Sequence, residues 1–159
     1  MLIGIISDTH REYEVLNKII DRIKKCDYIL HLGDNIQDVI YIKDRVSKKD
    51  IKFINVKGNC DYSNSIPDER VVEIGEHRIY MTHGHKYAVK TDLNRLMYRA
   101  EELECNIVLY GHTHMVFISE DYGKYIINPG SPSQPRDGKA GMVFVNIEGA
   151  KVNPYFMEL

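Results

Sequence analysis

The amino-acid sequence predicts one α/β domain over residues 1–159, with two facing sheets and helices on the outside. Three observations carry that expectation. Through the first third of the chain, short apolar runs alternate with stretches of helical periodicity, the order that builds parallel βαβ units with right-handed crossovers. In the second half, apolar runs are separated by turn residues at close intervals, the chemistry of antiparallel sheet. The length of 159 residues suits a single domain. A chain of this size buries about two-thirds of its unfolded surface without a disulfide or metal to hold its core.

Taken in order, Leu2–Ser7 is a continuous apolar run that stops at Asp8, the pattern of a strand buried on both faces. Val15, Leu16, Ile19, Ile20 and Ile23 follow with helical spacing, while Lys18, Asp21, Arg22 and Lys24 fall on the opposite face. Tyr28–Leu32 is a second strand, ending at Gly33-Asp34-Asn35. A second amphipathic helix is expected from Ile36 through Val46, and a third strand over Ile51–Val56, ending at Gly58-Asn59-Cys60-Asp61. Arg70–Ile74 and Arg78–Thr82 flank Gly75-Glu76-His77 as a hairpin. Leu93, Leu96, Met97, Ala100 and Leu103 make one stripe of a helix over Asp92–Leu103, capped by Thr91 or Asp92. Asn106–Tyr110 is another buried strand, ending at Gly111-His112-Thr113-His114. Val116–Ser119, Tyr125–Ile127, Met142–Ile147 and Val152–Phe156 complete the chain as short strands.

Composition excludes several classes of function. Lys and Arg number 21 against 23 Asp and Glu, a formal charge of −2, which argues against a broad nucleic-acid surface working by general electrostatic attraction. Fractions of 43% hydrophobic and 28% charged residues argue against disorder and collagen. No apolar run approaches the roughly 20 residues of a membrane span, and the first residues carry no basic leader, so the expectation is a cytoplasmic protein with no membrane partner. Cys26, Cys60 and Cys105 are odd in number and widely spaced, which suits a reducing compartment and no disulfide framework.

The polar residues are not scattered. Five apolar strands each run into a cluster: Ser7-Asp8-Thr9-His10, Gly33-Asp34-Asn35, Gly58-Asn59-Cys60-Asp61, Thr82-His83-Gly84-His85 and Gly111-His112-Thr113-His114. Loops after parallel strands converge at the carboxyl edge of the sheet, where ligands bind. Each cluster alone has an ordinary explanation: an Asp after a strand caps a helix, a buried His bonds within a core, and Gly, Asn and Asp make turns. Five in succession, all with Asp, Asn or His, point instead to a joint metal site. A set of carboxylates, a carboxamide and imidazoles without thiolate suits Mn, Ni, Fe, Co or Zn better than Ca or Mg. Asp8, His10, Asp34, Asn59, His83, His112 and His114 exceed what one centre with an open position uses, and serve two metals if one carboxylate is shared. Such a pair clamps a phosphoryl group.

The motif order Asp8-x-His10, Gly33-Asp34, Gly58-Asn59, His83 and Gly111-His112-x-His114 resembles the calcineurin-like metallophosphoesterase superfamily. The short chain, Gly58-Asn59-Cys60-Asp61 and Asn128-Pro129-Gly130-Ser131 resemble its small prokaryotic phosphodiesterase branch, the YfcE-like group. The resemblance implies a four-layer α/β/β/α sandwich with mixed sheets flanked by helices. It also implies two divalent transition-metal ions and attack on phosphorus by a metal-bridging hydroxide. Asp8, His10 and His114 would hold one metal, Asn59, His83 and His112 the other, with Asp34 bridging. Asp34, Asn59 and His83 are the catalytic residues on this reading. The substrate would be a small phosphodiester. The alternatives are a non-catalytic scaffold on the same fold, or a phosphomonoesterase or nuclease of the same superfamily. Exposed strand edges would permit a homodimer.

Cys60 departs from the pattern. Many members of the superfamily carry His there to contact phosphate and protonate the leaving oxygen, and a thiol is a weak donor. The loss favours diesters and activated substrates, and leaves Asp61 for a structural turn. His85 could supply the donor or pair with His83. Arg11 could touch phosphate or merely begin a helix. His31 is expected as a bonded core histidine, His77 as a solvated turn residue, and Asn35 as the cap of the second helix.

Overall fold

The computed structural model describes residues 1–48 and 50–159. In chain order the elements are β1 (Leu2–Ile6), α1 (Tyr13–Arg22), β2 (Tyr28–His31), α2 (Gln37–Arg45), β3 (Lys52–Asn55), β4 (Glu69–Ile74), β5 (His77–Thr82), α3 (Asn94–Glu102), β6 (Ile107–Leu109), β7 (Val116–Asp121), β8 (Lys124–Pro129), β9 (Gly141–Glu148) and β10 (Lys151–Glu158). Short 3₁₀ turns follow α1 at Ile23–Lys25 and β5 at His85–Tyr87. The first sheet has the order β10-β9-β1-β2-β3 and the second β4-β5-β6-β8-β7. Strands β1, β2 and β3 are parallel, as are β5, β6 and β8, while β9, β10, β4 and β7 join antiparallel.

Side-chain alternation sets the layers. Ile3 and Ile5 of β1 point between the sheets, where they pack with Ile79 and Met81 of β5, Leu109 of β6 and Val143 and Val145 of β9. Ile6 points the other way, onto Leu16 and Ile19 of α1 and Ile42 of α2. On the far side, Tyr80 and Val108 pack against Leu96 and Ala100 of α3. Helices, sheet, sheet and helix give the α/β/β/α sandwich. Helix α2 turns Val39 and Ile42 inward and leaves Ile40 63% exposed. Asp92 holds the start of α3, its Oδ1 accepting the Asn94 N–H at 2.9 Å.

One expectation fails here. His77 is buried, not solvated, because it opens β5 rather than lying in the turn. It shares the inward parity of Ile79 and Met81. Its Nε2 donates to the Gly149 carbonyl at 3.0 Å and its Nδ1 accepts from Asn106 at 2.8 Å. The histidine thus ties the second sheet to the β9–β10 turn of the first.

Candidate metal centre

The loops that leave β1, β2, β3, β5 and β6 meet at the seam between the sheets. Their backbone is unusual: Asp8, His10, Arg11, Asp34, Asn35, His112 and His114 all have φ between 49° and 68°, the left-handed region that costs an L-residue energy. The surroundings hold them there. The Asp61 carboxylate accepts four backbone N–H groups, from Gly58 (2.8 Å), Asp34 (2.9 Å), Asn35 (2.8 Å) and Ile36 (2.9 Å). Asp38 Oδ2 accepts the Arg11 N–H at 2.9 Å and the Thr9 hydroxyl at 2.6 Å. Ser131 and Ser133 hydroxyls donate to the Asp8 carbonyl at 2.7 and 3.2 Å. Two glycines are required by close approach, since a Cβ at Gly58 would fall on the Asp34 carboxylate and one at Gly111 on Ser7 and Asp8.

Hydrogen bonding then fixes where the lone pairs point. A carbonyl can only accept, so His83 Nδ1 carries the proton it donates to Leu32 O at 2.8 Å, and His114 Nδ1 the one it donates to Gln134 O at 2.8 Å. In the neutral rings both Nε2 atoms are therefore bare. His83 Nε2 faces Asn59 Oδ1 at 3.2 Å, Asp34 Oδ1 at 3.5 Å and Asp8 Oδ1 at 3.9 Å. His114 Nε2 faces Asp8 Oδ1 at 3.1 Å and His10 Nε2 at 3.4 Å. Asp8 Oδ1 is buried and accepts no hydrogen bond. Acceptors crowding acceptors is a costly arrangement that a cation relieves. Among the described residues, two groups have ligand atoms mutually within 4.8 Å: Asp8, His10 and His114; and Asp8, Asp34 and His83. The donor set fits divalent metals.

The same contacts set the electrostatics of the site. Burial opposes ionisation of Asp8, but His114, His83 and Ser7 outweigh it and bring its pKa down to about 2. His112 is pushed down to about 4 by burial, with His83 and Lys90 adding to the effect, so its ring is neutral near pH 7. Contact with Asp8 raises the pKa of His114 against the effect of burial. His112 stands with its ring centroid 5.1 Å from that of His83. Its backbone N–H donates to Asp8 Oδ2 at 3.1 Å.

All seven residues expected as ligands are brought to this seam. His85 joins them, its ring 5.4 Å from His83 and its Nδ1 buried without a partner. Cys60 is exposed beside them, and loss of solvent together with the Asp34 carboxylate pushes its thiol up to about 11. Arg11 is exposed, anchored through its backbone alone. His31 is the bonded core residue expected. Its Nδ1 accepts the Gly33 N–H at 3.1 Å and its Nε2 lies 3.2 Å from Thr9 Oγ1. Asn35 does not cap α2: Asp61 takes the N–H groups there, and the Asn35 amide lies 3.1 Å from His10 Nδ1. The near atom is the amide Nδ2, which donates to His10 Nδ1; a flipped amide would instead accept the Nδ1 proton of a ring whose Nε2 held a metal. Sequence reasoning gives no role to Thr9 or Asp38, and explains the Asn128–Ser131 loop by its turn-forming glycine and proline. Asn128 Nδ2 donates to Gly111 O at 3.1 Å and Thr113 Oγ1 at 2.9 Å, so Asn128-Pro129-Gly130-Ser131 braces the site loops as well as turning the chain.

Fold and site together define a class: an α/β/β/α sandwich with a candidate centre for divalent metal at the carboxyl edge of its parallel strands. The calcineurin-like phosphoesterase superfamily domain matches residues 1–150, and the chain belongs to that superfamily. A Methanocaldococcus jannaschii protein described as a probable metallophosphoesterase is 34% identical over 152 residues, covering 93% of this chain and 77% of the relative. One from Bacillus subtilis, described likewise, is 36% identical over 137 residues, covering 86% and 78%. A Streptococcus pneumoniae protein described as a predicted phosphoesterase superposes with a TM-score of 0.83 at 29% identity, covering 99% of this chain and 88% of that one. Two further structures share the fold. A novel archaeal phosphodiesterase has a TM-score of 0.79 at 23% identity, covering 99% and 100%. Vacuolar Protein Sorting 29 from Cryptosporidium parvum has a TM-score of 0.82 at 24% identity, covering 99% and 91%. Among the described residues, no helix is long and apolar enough to cross a membrane.

Proposed function

We propose that the chain is a single-domain, metal-dependent phosphodiesterase of the cytoplasm that hydrolyses small phosphodiesters at a dinuclear centre. The observation that supports this reading most is the bare, buried Asp8 Oδ1 faced by the Nε2 atoms of His83 and His114, whose ring protons are held on Nδ1 by backbone carbonyls. Asp8, His10 and His114 would hold one ion, and Asn59, His83 and His112 the other. Asp34 would be shared between them. Asp8 is a second candidate for sharing, since it belongs to both geometric groups. Mn is the first expectation, with Ni, Fe, Co or Zn as alternatives, because N/O donor sets accept all of them. When bound, a pair of such ions supplies Lewis acidity and lowers the pKa of water to near neutrality.

The chain's own residues do the rest. Leu32 O and Gln134 O hold the proton of each imidazole on Nδ1 and so keep Nε2 available. Asp61 and Asp38 fix the backbone that aims Asp34 and His10. Cys60, protonated at neutral pH, offers a leaving group only a weak S–H donor, which favours diesters with good leaving groups. The neighbour named for vacuolar protein sorting favours a second reading, a non-catalytic scaffold. One assay separates the two. With Mn or Ni added, bis-p-nitrophenyl phosphate should be hydrolysed, and Asp34→Ala should abolish turnover. A folded, metal-loaded protein inert towards every phosphoester would leave the scaffold.

A further inference from the structure

A groove of about 400 Å³ opens beside the candidate centre. This volume lies within the range of pockets that hold small molecules. Its walls are the loops that carry the site histidines. Val89 and Lys90 follow the His83–Tyr87 turn, while Tyr110, Thr113, Met115, Val116 and Phe117 flank His112 and His114, which do not themselves line the groove. The backbone N–H of Arg136 on the facing segment donates to His114 O at 2.9 Å. The lining has two characters. Val89 and Tyr110 are buried and Val116 half-buried, with Met115 at 50% and Phe117 at 40% exposure, an apolar slot open on one side. Lys90 and Arg136 bring two cations to it, and neither has an ion pair among the described residues. The carboxylate adjoining Arg136, Asp137, is already committed to the N–H groups of Val116 at 2.7 Å and Lys139 at 3.0 Å.

We propose that this groove receives the organic part of the diester, and that this part is a flat ring system bearing a second anionic group, as in a nucleotide phosphorylated at a further position. The inference rests on the phosphodiesterase reading and extends it to the substrate class. Apolar walls and Phe117 suit the faces of a ring, which neither cation could hold by charge alone. A second anion gives Lys90 and Arg136 the partner they lack, and Arg in particular binds phosphate through paired N–H donors.

The test compares thymidine 5′-(p-nitrophenyl phosphate) with the same compound carrying a 3′-phosphate, using the full metal-loaded chain. The wild type should prefer the 3′-phosphorylated ester by about tenfold or more in kcat/KM, the scale of one charge-assisted contact. Arg136→Ala and Lys90→Glu should each shrink that preference to about twofold or less. Both side chains are exposed, so the fold is not at risk. Calorimetric binding of thymidine 3′,5′-bisphosphate gives a readout independent of turnover, and it should weaken about tenfold in Arg136→Ala. Absence of preference in the wild type, or equal losses on both esters in the variants, would overturn the groove assignment while leaving the diesterase intact. If no diester is hydrolysed, the diesterase reading fails instead and the calorimetry decides the groove: binding that Arg136→Ala leaves unchanged overturns it, and binding that it weakens supports it.

Discussion

Asp61 shows how much of the site lies in residues that never face the substrate. Its two oxygens hold four N–H groups on two loops. Asp61→Ala should therefore cost about 3 kcal/mol in urea unfolding, since several donors lose their acceptor at once. Cys60→His addresses the leaving group: the ratio of monoester to diester hydrolysis should rise, and an unmoved ratio would show that the thiol was not the deficiency. His31 gives a pH dependence. Burial pushes its pKa down to about 4 from an ordinary 6.5. Between these values the unfolded chain takes up a proton that the native state refuses, so stability falls as pH falls through the interval, by about 3 kcal/mol in all. Denaturant titrations at pH 7 and pH 4 should show a smaller loss in His31→Gln. The ligands themselves were legible in the sequence because a donor atom is a property of the residue. Asp61 is legible only as a turn residue, and Asn35 reads as a helix cap, because both depend on loops that close on each other from 25 to 27 positions apart.

At the scale of elements, periodicity carried nearly everything: each strand and helix appears where apolar spacing put it, with ends displaced by a residue or two. Helix α1 depends on packing. Leu16 is wholly buried against the first sheet, so Leu16→Ala should destabilise by about 3 kcal/mol, whereas Ile40→Ala on the open face of α2 should change stability by less than about 0.5 kcal/mol. Parallel urea curves check both. The β4–β5 hairpin shows where local reading fails. Glycine marks its turn correctly, but whether His77 belongs to turn or strand depends on Gly149 and Asn106, partners on distant segments. The left-handed residues are equally hidden, because Asp, Asn and His carry only a modest tolerance of that backbone state and Arg carries none.

Across the whole molecule, the loops of the first sheet bring Asp8, His10, Asp34 and Asn59, and those of the second bring His83, His112 and His114. The centre thus straddles two sheets whose main bond is a layer of apolar side chains. His10 and His114 are 104 residues apart in sequence and 3.4 Å apart in space. An ion held between them would be a mechanical shortcut. When the chain is pulled from its ends, the enclosed segment, about 350 Å long when extended, would stay shielded from force until the coordination ruptured. Chelation would then appear as added contour length, making the site a clasp as well as a place for chemistry.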